Sequence, residues 1–268
     1  MFSRLIGALV RAGLVIIVIA TPSLLLPEAS VSVASQEISL ILGGVIAAFT
    51  LFEYASTHPG LIDFRFAPPY NRIRFLAFAM QILALVFLCR ALEGEDNFSS
   101  NLISLSDQMI GWLSFPLSPV NVAADMIAAG EDPTLALLLS RAAALSFFVT
   151  FCSLAFFAVF LWLFKWPVGR RDFNLWVNLP TFEPGYGRDV ERRLSRDGVI
   201  NLLSGVVFLY ILPVLLSRTS GWFDPSVLNN YQPLVWGVTL WAFISGSLVI
   251  RGAAILKVAM LVRRSRGA

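Results

Sequence analysis

The sequence predicts an all-α polytopic membrane bundle of about six transmembrane helices, one domain over residues 1–268. Three observations carry that prediction. Hydrophobic residues make up 57% of the chain and charged residues 14%, against about 25% charged in soluble domains. Mean hydropathy is +0.76; a soluble core does not need so much apolar surface, whereas a bundle in hydrocarbon must be apolar outside as well as inside. Apolar runs long enough to cross a hydrocarbon layer of about 30 Å alternate with connections that hold most of the charge.

The first run, 5–26, contains Arg11 and Pro22. It outlasts the apolar part of a signal peptide and is read as a retained helix; the alternative is a cleaved leader with Arg4 as its basic start and Ser32 to Ser35 as small residues at a cleavage site. The second run, 38–55, holds Gly43 and Gly44, which permit close helix contact. The third, 73–89, is near the shortest length that spans.

Residues 90–133 differ. Glu93, Glu95, Asp96, Asp107, Asp125, Glu131 and Asp132 are too many acids for lipid. Leu102, Leu105, Met109 and Trp112 recur at helical spacing opposite Ser104, Asp107, Gln108 and Gly111, which predicts an amphipathic helix lying on the membrane surface. Ser118 before Pro119 reads as a helix start, and Gly130 as its close.

The fourth run, 134–164, would be about 46 Å long as a helix, more than one crossing needs. Arg141 near its start is expected to snorkel to the interface. Residues 165–197 form a polar connection with an irregular Pro/Gly-rich middle and a short helix at its end. The fifth run, 198–216, contains Pro213, and the sixth, 234–262, carries Arg251 and Lys257.

Basic residues fall on alternate connections. One set holds Arg4 and Arg11; Arg65, Arg72 and Arg74; Lys165, Arg170, Arg171, Arg188, Arg192, Arg193 and Arg196; and Arg263, Arg264 and Arg266. The other set has no basic residue at 27–37, Arg90 at the edge of 90–133, and Arg218 in the last turn. Because Lys and Arg stay where synthesis occurs, both termini and loops 56–72 and 165–197 are expected in the cytoplasm, and 90–133 in the periplasm. Arg far exceeds Lys, since only Lys165 and Lys257 are present; this reads as a GC-rich bacterial genome, and the expected location is the bacterial inner membrane.

The pI of about 9.1 does not point to nucleic acid, because the basic residues sit in loops between apolar runs. His58 is the only histidine, and Cys89 and Cys152 are isolated in apolar runs, so no metal site and no cofactor is expected. There is no Walker A loop, dinucleotide fingerprint, HExxH or paired CxxC.

Candidate sites come from polar residues in apolar context. Arg11, Glu53, Gln81, Asn201 and Arg251 are the intramembrane set. Glu53 is expected to pair with Arg11 or Arg251; the alternative is that each snorkels separately. Gln81, Asn201 and Ser204 mark the path a transporter would use. His58 and Asp63 are the candidate catalytic pair, without a nucleophile elbow beside them. Arg65, Arg72, Arg74, Trp176, Arg188, Arg192, Arg193 and Arg196 are expected to meet lipid headgroups or a protein partner.

The function expected first is that of a non-enzymatic accessory, assembly or scaffold subunit of a membrane complex, in contact with anionic headgroups and other membrane subunits. A small-solute transporter or channel is the first alternative. A membrane enzyme acting on an anionic lipid-linked substrate is the second.

Overall fold

The computed structural model describes residues 2–27, 33–57, 60–94, 96–127, 133–164, 166–167, 173–180, 182, 189–218 and 224–266. Among these the elements are helical: α1 Phe2–Leu25, α2 Val33–Ala55, α3 Tyr70–Ala91, α4 Asn97–Leu113, α5 Pro119–Ile127, α6 Pro133–Leu163, α7 Leu175–Asn178, α8 Asp189–Arg218, a 3-10 turn at Pro225–Asn229, and α9 Tyr231–Arg266. Six of them, α1, α2, α3, α6, α8 and α9, are long and apolar enough to cross a membrane, as the apolar runs predicted. The chain is a multi-pass membrane protein.

α9 is the axis, packed against α8, α6 and α3, with α1 against α3 and α2 chiefly on α1. Burial is greatest in α9, with 56% of its apolar stretch buried, and least in α8, with 11%. The outward faces are left apolar, as hydrocarbon requires.

Contacts join the carboxyl ends of alternate spans. At one end, Arg90 on α3 donates to the Leu25 carbonyl of α1 at 2.9 Å. At the other, Lys257 on α9 donates to the Leu161 carbonyl of α6 at 3.1 Å. The second of these ends carries the arginine-rich connections and is called the basic end; the first carries α4 and α5 and is called the acidic end.

Each end has its own apolar core. Leu85, Leu88, Leu135, Leu139, Leu234 and Val238 are buried together at the acidic end. Phe64, Tyr70, Phe157, Trp166, Leu179, Leu194 and Ile255 are buried together at the basic end. Between them Gln81 donates to the Thr150 hydroxyl at 2.7 Å, with both side chains buried.

Three expectations are corrected. α8 runs without a break from Asp189, so the short helix expected before span five is part of that span's helix. Gly198 reads as a boundary, but it is helical because α9 comes so close: a Cβ there would stand 2.7 Å from Leu256 Cγ, and one on Gly252 would stand 2.7 Å from the Gly198 carbonyl oxygen. α4 is helical over the residues whose spacing predicted it; it buries Ser106 and Met109 and leaves Leu105 and Trp112 exposed. Arg141, expected to snorkel, ties α6 to α4 instead: Nε and Nη2 donate to the two Asp107 carboxylate oxygens at 2.7 and 2.9 Å. Ser118 does open α5, its hydroxyl accepting from the Val120 amide at 3.3 Å; Gly130 lies outside the described residues.

Candidate functional site

At the basic end the chain leaves α2 and returns as α3 through a turn that two charged side chains brace reciprocally. The Glu53 carboxylate accepts from the amides of Gly60, Leu61 and Ile62 at 2.7, 2.8 and 3.1 Å. Arg65, from the far side of the turn, donates to the last carbonyls of α2: Glu53, then Tyr54 at 3.2 Å and Ser56 at 2.6 Å. A cation on a helix carboxyl end satisfies orphan carbonyls and the helix dipole together. Burial pulls the Arg65 guanidinium below its ordinary value, and the neighbouring Glu53 charge opposes that.

The same turn is tied to the connection after α6. The Phe64 amide donates to the Asn178 carbonyl at 2.6 Å, and the Phe66 amide to Asn178 Oδ1 at 3.2 Å. Trp166 Nε1 donates to the Ala67 carbonyl at 3.1 Å, and its ring lies 5.2 Å from Phe64 and 5.9 Å from Phe157. The two basic connections thus form one folded cap on the bundle.

Asp63 in this cap is buried and pairs with Arg251 of α9, Nε to Oδ2 at 2.6 Å. Arg251 also donates to Asn201 Oδ1 at 2.9 Å, and Asn201 donates to the Asp197 carbonyl at 2.7 Å. The expected pairing of Glu53 with Arg11 or Arg251 is therefore corrected. Glu53 is held by backbone amides and Arg251 meets Asp63, because the turn folds back over α9 and brings the second acid to it. Arg11 stays on its own helix and beside Tyr54. It donates to the Gly7 carbonyl at 2.6 Å, one turn nearer the basic end, with its guanidinium 4.6 Å from the centre of the Tyr54 ring.

A cleft of about 1170 Å³ opens between the α1–α2 hairpin, the turn and α3. Among the described residues five arginines line it, Arg11, Arg65, Arg72, Arg74 and Arg251, and one acid, Asp63. Arg251 and Asp63 neutralise each other, and Arg65 serves the end of α2. Arg74 donates to the Ser247 hydroxyl of α9 at 2.7 Å and sits 5.3 Å from the Tyr70 ring centre. Among the described residues no carboxylate forms an ion pair with Arg11, Arg72 or Arg74. Thr50, Tyr54 and Asn71 add polar groups, and apolar residues, among them Val10 and Leu14 of α1 and Leu76 of α3, make up the rest of the wall. These three are exposed side chains of helices long and apolar enough to cross a membrane.

The other predicted residues fall elsewhere. Gln81 faces a cavity with room for about one water, which it shares with Arg74, Thr150 and Ser247 and not with Asn201 or Ser204. The transporter path drawn through Gln81, Asn201 and Ser204 is not assembled: Asn201 belongs to the Arg251 cluster, because α8 and α9 pack face to face and turn it there. Arg192 and Arg193 are exposed on α8, and Arg196 pairs with its neighbour Asp197 at 3.1 Å. His58 and Arg188 lie outside the described residues, as does the side chain of Trp176 on α7. Among the described residues no three His, Cys, Asp or Glu side chains gather where they could hold a metal. Tyr54, Asn71 and Ser247 were missed. Asn71 donates to the Asp63 carbonyl at 2.8 Å, and only its place between prolines and arginines in the second loop hinted at a role. No family model, curated protein or solved structure matches this chain.

Proposed function

We propose that this protein binds an anionic membrane amphiphile in the basic cleft, with the acidic head at Arg11, Arg72 and Arg74 and the hydrocarbon along α1 and α3. The observation that carries this reading is the pairing of three arginines lacking a carboxylate partner among the described residues with exposed apolar side chains of α1 and α3 in one cleft wall. Guanidinium groups favour phosphate and carboxylate oxygens, which they meet with two parallel hydrogen bonds.

Arginine loops retained where synthesis occurs would place the basic end in the cytoplasm of a bacterial inner membrane, level with the inner leaflet headgroups. The protein is then a non-enzymatic accessory or assembly subunit that holds its lipid. Arginine donates hydrogen bonds but does not shuttle protons, and the described residues of the cleft wall include no nucleophile beside a base.

The test is thermal unfolding of the detergent-purified protein with added lipid. Phosphatidylglycerol or cardiolipin should raise Tm in a concentration-dependent way, since a ligand bound only by the folded state stabilises it by about 2.7 kcal/mol at a hundredfold its Kd. Phosphatidylcholine should do much less, and Arg72→Gln should remove most of the difference. An equal rise with phosphatidylcholine sinks the reading.

A further inference from the structure

We infer that the head bound in this cleft carries two or more negative charges on a terminal phosphate, a lipid phosphomonoester or diphosphate, in preference to the singly charged phosphodiester of bulk phospholipids. This rests on the lipid-binding reading above and goes on to say which headgroup the site selects.

The argument is a matching of charge and donors. Arg11 comes from α1, and Arg72 and Arg74 come from the first turns of α3. All three line one cleft, and the one acid among its described lining residues, Asp63, is taken by Arg251. One diester charge would leave two guanidinium charges uncompensated beside an apolar wall, where low polarity makes like charges repel more strongly. A terminal phosphate supplies about two charges and three free oxygens, enough for three forked donors.

Those donors are available. Arg74 spends Nε on Ser247, which fixes the plane of its guanidinium against α9 and leaves its two terminal nitrogens. Arg11 spends Nη1 on Gly7. Arg72 is exposed, and no hydrogen bond to the rest of the chain is recorded for it among the described residues. Val10, Leu14 and Leu76 are exposed apolar side chains that line the same cleft, which sets surface for a hydrocarbon tail beside the arginines and favours a lipid phosphate over a soluble anion.

The experiment measures affinity of the full chain in phosphatidylcholine nanodiscs for four probes: phosphatidate, a polyprenyl diphosphate, phosphatidylglycerol and inorganic pyrophosphate. At pH 8 phosphatidate and the diphosphate lipid should bind at least about tenfold tighter than phosphatidylglycerol. The phosphatidate margin should shrink toward pH 5.5, because a phosphomonoester loses its second charge near pH 6 while arginine keeps its own. The charged and titratable groups around the site are Asp63, Glu53, Tyr54, Tyr70, Arg4, Arg65 and Arg251. The phosphatidylglycerol arm reads whatever they and His58, the chain's only histidine, contribute over the same pH range.

Arg72→Gln should collapse the monoester margin while leaving the unfolding temperature of the empty protein in place. Arg72→Lys should restore part of it. Equal affinity for phosphatidate and phosphatidylglycerol overturns the inference and leaves the lipid-binding reading standing. No preference for any anionic lipid over the phosphatidylcholine background overturns both. Pyrophosphate binding as tightly as the diphosphate lipid overturns the assignment to a lipid.

Discussion

The two ends of the bundle solve the same problem with the same pair of residues. Each brings a segment lying outside the spans down onto a span through an aspartate–arginine contact: Asp63 to Arg251 at 2.6 Å at the basic end, Asp107 to Arg141 at 2.7 Å at the acidic end. The acidic-end contact is bidentate and the basic-end contact is a single Nε–Oδ2 bond, and the burial of the two aspartates differs as well. Asp63 keeps 8% of its side-chain exposure and Asp107 keeps 45%. A buried pair cannot lose one member without stranding the other charge, whereas an exposed pair is rewetted when broken. The basic end adds the Phe64, Tyr70, Phe157 and Trp166 cluster around its pair, while α4 at the acidic end leaves Trp112 and Leu105 exposed. The basic cap should therefore be integral to the fold, and α4 should be a docked accessory to it.

The largest test of that difference is Trp166→Ala. It removes a buried indole and its hydrogen bond to Ala67 and should lower stability by about 3–5 kcal/mol. It should also open 165–197 to protease. Undiminished protease resistance would mean that the cap is not held by this cluster.

Asp63→Ala comes next. Arg251 is partly exposed, so the loss should be near the lower end of the range for buried pairs, about 3 kcal/mol. Arg251→Ala in the same background should recover part of it in a double-mutant cycle. The matching cycle at Asp107 and Arg141 should give a coupling of about 1 kcal/mol or less. Equal couplings at the two ends would break the comparison.

The smallest effect is acid-dependent. Asp96 caps α4 by accepting from the Ser99 hydroxyl and amide, which holds its carboxyl below the ordinary value. That stabilisation is present above the unfolded carboxylate pKa of about 3.9 and is lost as pH falls through the lower folded value. The protection factors of the α4 amides, with intrinsic exchange divided out, should fall below about pH 4 and hold between about pH 5 and 8. A change of protection at neutral pH would assign the cap to another group.

The spans were legible because crossing hydrocarbon is a local requirement. Runs such as 38–55 and 73–89 carry it in their own composition, and α2 and α3 lie over them. Where a run was ambiguous, partners outside it decided. The fifth apolar run starts at Gly198, where the charged residues of 189–197 end, yet α8 continues through that point and Gly198 is where α9 approaches.

In the site, the residue types were legible and their partnerships were not. Arg11, Glu53 and Arg251 stood out as charges in apolar runs, but the acid that reaches Arg251 lies 188 positions away, in a turn whose path Glu53 and Arg65 set. His58, the other half of the candidate pair with Asp63, lies outside the described residues.

What the sequence alone determined is the number of crossing helices and the concentration of arginine at one end, because transfer between water and hydrocarbon is summed residue by residue along the chain. The tertiary structure decided which charges cancel and which stay without a carboxylate partner in the basic cleft. Coulomb energy depends on separation in space, and only the packing of α1, α3 and α9 sets those separations.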